Sequence, residues 1–170
     1  MLIKNVELAK QGDKEALLEL ILDKKDEYYK LAYVYMKNSD ETMDAVEDMI
    51  VILYEKIKFL KKNEAFYSWS KTILVNCCKK QLKKKKKLVY IHELPNSDTK
   101  IIEKENQISL ENALNNLKPK HQEAIKLKYY MNYTYNEIAD LTNIPIGTVK
   151  SRISTALKIL KIKLEGDFNE

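Results

Sequence analysis

Apolar residues recur at three- and four-residue spacing along nearly the whole chain, which is the helical period. Residues 14–22 (KEALLELIL) and 27–37 (EYYKLAYVYMK) carry such stripes, the second through Leu31, Val34 and Tyr35. Asn38-Ser39-Asp40 breaks the stripe and supplies a cap for the next helix. From Glu41 to Lys58 a third helix is predicted, acidic early and apolar later through Val46, Ile50, Leu53 and Ile57. A fourth is predicted from about Ser68 to Lys85, with Trp69, Ile73 and Leu74 on its inner face. The pattern then fades. Residues 79–87 hold seven lysines, and 92–107 (HELPNSDTKIIEKENQ) are polar with no amphipathic face, the composition of a linker. A second helical unit starts near Ile108. Leu110, Ala113, Leu114 and Leu117 line one helix; Pro119, which lacks an N–H, suits the first position of the next, which continues through Ala124, Ile125 and Leu127. The expected fold is all-α: a four-helix bundle over residues 1–87, a flexible linker over 88–106 and a second helical domain over 107–170.

Composition agrees with that class. Three glycines and three prolines in 170 residues are too few for the tight turns of a sheet-rich protein, and leave no glycine-rich phosphate loop. The longest apolar run, Met49 to Tyr54, is far short of the ~20 residues that cross a bilayer, and the N-terminus lacks the apolar stretch of a signal peptide. A cytoplasmic chain without membrane insertion is expected. Cys77 and Cys78 are adjacent, and with only His92 and His121 elsewhere they make no zinc pattern. They read as ordinary helix cysteines in a reducing compartment. With no nucleophile–base pair either, neither catalysis nor a metal or cofactor is expected. The net charge is +5, carried almost entirely by lysine; Arg152 is the only arginine.

Residues 134–160 (TYNEIADLTNIPIGTVKSRISTALKIL) hold the most specific motif. Thr134 and Glu137 have the spacing of a capping box. Ile138 and Leu141 point inward, and Ala139 is small where a second helix must cross. Asn143 suits the left-handed residue that ends a helix, and Pro145 restarts the chain. A short turn between two helices is the architecture of a DNA reader. At 100° per residue, Val149, Ile153, Ala156 and Leu160 share one side of the last helix. Opposite lie Ser151, Ser154 and Lys158, flanked by Lys150 and Thr155. Between Gly147 and Lys163 there are five positive residues and no acid. Lys150, Ser151, Ser154 and Thr155 are candidates for base edges in a major groove, and Arg152, Lys158 and Lys161 for phosphates.

This segment, with the preceding LENALNNLKPKHQEAIKLKYY, resembles the C-terminal domain of extracytoplasmic-function sigma factors. The resemblance implies a sigma-four-like domain that reads the −35 promoter element. It extends to the N-terminal bundle, which then corresponds to a sigma-two-like domain. On residues alone, Asp44, Glu47 and Asp48 lie on one helix face where acids favour a helix start. The resemblance of D-A-V-E-D to the family's D-L-V-Q-D/E segment implies docking on the basic coiled coil of the largest RNA polymerase subunit, with Glu47 in place of the common glutamine. FYSWSKTILVNCCKKQLKKKKK (66–87) resembles the promoter-melting helix. Aromatic side chains among lysines suit a single-strand platform, because rings stack on bases while charges hold phosphates. Asn63, Phe66, Tyr67 and Asn76, with Lys79, Lys80, Lys83 and Lys84, are the candidates for −10 recognition and melting; Trp69 is assigned to the core with Ile73. Partners implied by the resemblance are promoter DNA, core RNA polymerase and an anti-sigma factor, often membrane-anchored. The alternative is a standalone helix-turn-helix regulator, dimeric on a palindromic site, whose N-terminal bundle dimerises or senses a ligand.

Overall fold

The first helix is one that hydrophobic spacing alone does not announce. The computed structural model describes residues 1–92 and 110–166, and it opens with α1 (Leu2–Lys10), which buries only Asn5, Val6 and Ala9. So narrow a buried face leaves no stripe to read. Gly12 lets this helix exist: its φ of 100° is open to glycine without strain and turns the chain back at once. Asp13 then caps α2 (Lys14–Asp23) by accepting from the backbone N–H groups of Glu15 and Ala16. α1 packs on α2, where Asn5 donates to Glu19 across 2.8 Å. The bundle therefore has five α-helices where four were expected.

α3 (Lys25–Met36) ends at Lys37, whose φ is 57°, and Asn38 caps α4 (Ser39–Lys56) through Glu41 N–H. The buried stripe of α4 is Thr42, Ala45, Met49 and Leu53, so Val46 and Ile50 flank the core instead of forming it. Two 3₁₀ turns, Ile57–Phe59 and Asn63–Ala65, lead into α5 (Phe66–His92). Both turns lie against α1. Tyr28, Leu31, Met49, Leu53, Phe66 and Leu74 are fully buried, and inside this core the Tyr28 hydroxyl and Ser70 Oγ share a 2.7 Å hydrogen bond.

α5 corrects two expectations. Its inward face carries Phe66, Ser70, Leu74, Cys77 and Cys78, whereas Trp69 and Ile73 are only half-buried. The helix also continues through residues 88–92, the start of the expected linker, where no glycine or proline interrupts it. The remainder of that linker, 93–106, lies outside the described residues, as do 107–109 and 167–170.

The chain divides into two compact units, Met1–Lys86 and Lys87–Glu170. The second contains α6 (Leu110–Asn115), α7 (Pro119–Tyr129), α8 (Tyr135–Thr142) and α9 (Ile146–Gly166). Pro119 is the first residue of α7, as its missing N–H predicts. α9 packs against α6, α7 and α8, and Ala113, Leu114, Leu117, Ile125, Leu127, Ile138, Val149 and Ile153 fill the centre. Leu110 departs from its expected stripe and is 55% exposed. Among the described residues there is no strand.

Candidate functional site

The helix-turn-helix is built by the local chemistry its sequence suggests. Glu137 N–H donates to Thr134 Oγ1 at 3.2 Å, and the Glu137 carboxylate accepts from Thr134 N–H at 2.7 Å, which closes the capping box. Asn143 takes the left-handed conformation (φ 54°, ψ 47°) that ends α8, and Ile144 N–H returns to the Ala139 carbonyl at 3.1 Å. The chain then re-enters a helix at Ile146, one residue after Pro145.

That turn fixes the rotation of α9. Val149, Ile153, Ala156 and Leu160 are buried; Lys150, Ser151, Ser154, Thr155 and Lys158 are exposed. The expected division of faces is therefore the observed one. Lys161 is also exposed and pairs with Glu165 one turn on, at 3.6 Å. Arg152 is different. Its guanidinium is drawn back toward Glu123 of α7, at 3.9 Å, and both side chains are largely sequestered. Its place on the wheel, nearer the buried stripe than the exposed one, explains this. Arg152 ties α9 to α7, so the phosphate role expected for it is withdrawn.

His121 lies in the first turn of α7 and is 8% exposed, and its Nδ1 is buried without a hydrogen-bond partner among the described residues. Burial, then Lys120, Lys118 and Arg152, hold the imidazole below its ordinary pKa. In the unfolded chain it protonates near pH 6.5, so below that pH the unfolded state binds more protons. The second unit should keep its full stability above about pH 6.5 and lose it as pH falls through the lower native value. Circular-dichroism melts of the full chain at pH 7.5 and 5.5 test this, with His121→Leu expected to flatten the difference.

In the first unit the aromatic roles exchange. Phe66 has no exposed surface; its ring packs edge-on to Tyr67 at 5.4 Å and tilted to Trp69 at 6.3 Å. It cannot stack on a base without leaving the core, so its −10 assignment is corrected to a supporting one. Trp69, expected in the core with Ile73, is half-buried and stands on an outward stripe instead. Stepped at 100°, Trp69, Asn76, Lys80 and Lys83 fall within about 60° of one another, and Asn76, Lys80 and Lys83 are exposed. Lys79 and Lys84 flank the stripe and are also exposed. Extending the wheel past Ile73 would have found this alignment.

Tyr67 is half-buried. Its hydroxyl donates to Asp23 Oδ2 at 2.8 Å, and the Lys24 ammonium lies 5.5 Å from its ring centre. That hydrogen bond, then Lys24, holds the Asp23 carboxyl below its usual range, while burial followed by Asp23 pushes the phenol up. Asn63 is committed at both ends of its amide: Lys10 Nζ donates to Oδ1 at 2.6 Å, and Nδ2 donates to Glu7 at 3.4 Å. It pins the 63–65 turn to α1. Cys77 and Cys78 are free and buried, and burial pushes the Cys78 thiol up to about 12, so neither sulfur is a poised nucleophile.

On α4, Asp44, Glu47 and Asp48 are all exposed. Gln81 of α5 donates to Asp48 at 3.0 Å, and Lys85 pairs with Glu41 at 2.6 Å, so α5 steadies the acidic helix. Among the described residues no group of three His, Cys, Asp or Glu side chains could hold a metal, and no helix is long and apolar enough to cross a membrane.

A basic helix-turn-helix and an acidic face beside a lysine-lined aromatic stripe define the class, and the comparisons agree. Residues 20–88 match the model for sigma-70 region 2, and residues 107–160 the model for sigma-70, region 4. RNA polymerase sigma factor SigV of Bacillus subtilis (strain 168) is 30% identical over 160 residues, spanning 91% of this chain and 95% of that protein. The ECF sigma factor SigW of the same organism is 27% identical over 183 residues, spanning 96% and 97%. The chain belongs to the extracytoplasmic-function sigma factors, the alternative initiation subunits that direct RNA polymerase to promoters. Two solved structures share its fold. RpoE in complex with the anti-sigma factor NepR, from Bartonella quintana, has a TM-score of 0.66 at 24% identity, over 86% of this chain and 95% of that one. CnrH in complex with the cytosolic domain of CnrY has a TM-score of 0.69 at 16% identity, over 98% of each.

Proposed function

We propose that the two units divide promoter recognition between named side chains. The exposed face of α9 reads the −35 element: Ser151, Ser154 and Thr155 meet base edges in the major groove, and Lys158 and Lys161 meet phosphates. The clean separation of that face from the buried stripe is the observation that carries this reading. On α5, Trp69, Asn76, Lys79, Lys80, Lys83 and Lys84 hold the −10 strand, while Tyr67 stands on the opposite side of the helix beside Asp23. Stacking on the half-exposed indole supplies sequence-tolerant grip, and the lysines follow the backbone. On α4, Asp44, Glu47 and Asp48 dock on a basic surface of core polymerase. The chain contributes binding and positioning and no catalytic step of its own, and acts in the cytoplasm.

The RpoE structure holds a sigma factor bound by an anti-sigma factor, and the CnrH structure is a complex with the cytosolic domain of CnrY. Their likeness in fold supports the same mode of control here, with a dissociable inhibitor that is often membrane-anchored.

Competition between −35 variants, with the chain bound to core polymerase, tests the division of roles. Ser154→Ala should relax preference among −35 sequences. Lys158→Ala should weaken all of them alike and lower the slope of log affinity against log salt by about one. Equal effects of both substitutions on every sequence would contradict the face assignment.

A further inference from the structure

α5 outruns the core that holds it. Cys77 and Cys78 are buried, but from Lys79 to Leu88 no side chain is. This arm carries seven lysines, and α5 has no acid anywhere along it. Six pairs of those lysines stand three or four positions apart, Lys80 with Lys84 and Lys83 with Lys87 among them. Like charges at that spacing face one another and oppose the helix. The arm's own sequence therefore works against its conformation.

Lys85 is the exception. Its neighbours three and four positions away are Gln81, Leu82, Leu88 and Val89, so no lysine faces it. Stepped at 100°, it falls within about 60° of Ser70, Leu74 and Cys78, the side of α5 turned to the body, and all three of those are buried. Its ammonium meets Glu41 Oε1 of α4 at 2.6 Å, and one turn earlier the Gln81 amide donates to Asp48 at 3.0 Å. Glu41 is itself firmly held. It lies in the first turn of α4, its N–H donates to Asn38 Oδ1 at 3.0 Å, and its Oε2 is buried. The acid that α5 lacks is thus supplied by its neighbour.

We propose that Glu41 is a positioning residue for the −10 strand. Through Lys85 it keeps the arm helical, so that Lys79, Lys80, Lys83 and Lys84 are spaced for phosphates before a strand arrives. Ordering settled in advance lowers the cost of binding. The proposal rests on the −10 role given to α5 above. Glu41 stands apart from the acids assigned to core polymerase, and its own charge repels the polyanion whose binding it favours.

That opposition of signs supplies the test. Glu41→Gln raises the net charge by one, so charge alone would tighten binding of any nucleic acid. Positioning predicts the reverse. With the chain assembled on bacterial core RNA polymerase, a fluorescein-labelled single strand carrying the −10 sequence should bind Glu41→Gln about three- to fivefold more weakly, the range an exposed ion pair supports. The slope of log affinity against log salt should match the wild type, because no phosphate contact is lost. Lys85→Arg keeps the pair and should match the wild type. Lys85→Gln combined with Glu41→Gln should be no weaker than Glu41→Gln alone, the non-additivity of partners in one contact. In the free chain, hydrogen exchange of Glu41→Gln should quicken at residues 82–88 and stay unchanged at 70–78. Strand binding by Glu41→Gln as tight as the wild type or tighter, additive losses in the double variant, or unchanged exchange in the arm would overturn the proposal. Should Lys83→Ala and Lys84→Ala leave strand binding at the wild-type level, the −10 role of α5 itself fails. Should they weaken it while Glu41→Gln does not, only the role of Glu41 fails.

Discussion

Phe66→Ala should unfold the first unit at a much lower temperature and leave the second nearly untouched. Phe66 has no exposed surface and packs against Tyr67 and Trp69 at the start of α5. Truncating a buried phenylalanine typically costs about 3–5 kcal/mol. A domain of this size has about 5–15 kcal/mol in all, so the loss takes a large share. For 60–100 residues each kcal/mol moves the midpoint by about 4–8 °C, which puts the expected fall above about 12 °C. Trp69 is the chain's single tryptophan and lies in this unit, so its fluorescence follows that transition alone. If melting were unchanged while −10 opening was lost, Phe66 would regain the stacking role that its burial denies it.

Reversing the acidic face should have the second large effect. Asp44→Lys, Glu47→Lys and Asp48→Lys together would set three cations against a basic docking surface. Like-charge contacts at an interface cost several kcal/mol, so affinity for core polymerase should fall by about a hundredfold or more at low salt. The deficit should narrow as salt rises, because these groups are exposed and screened. Asp48 would lose the Gln81 amide at 3.0 Å, a single exposed hydrogen bond, so the fold should survive, which the Trp69 melt checks. A loss that is constant across salt, or absent, would move the docking site elsewhere on the first unit.

Legibility followed how much of the physics is local. The capping box, the left-handed Asn143 and the buried stripe of α9 depend on neighbours within a few residues, and all three are present as the sequence reads. Long-range choices were harder. Trp69 and Phe66 are three residues apart, and either is apolar enough for the core; Phe66 is the one left with no exposed surface, a choice that neighbours distant in sequence make. Arg152 looked like a phosphate ligand because its partner, Glu123, sits 29 positions earlier on another helix. Helix α1 was hidden because it buries so little of itself, and Asn63 because the groups it holds, Glu7 and Lys10, belong to that helix.

Run-off transcription with purified core RNA polymerase tests the central claim most directly. The chain should yield a promoter-specific product from a subset of templates, and Ser151→Ala with Ser154→Ala should change which −35 sequences are used without weakening capture of core. A holoenzyme that gives no specific product, or whose choice of template ignores those two serines, would contradict the account.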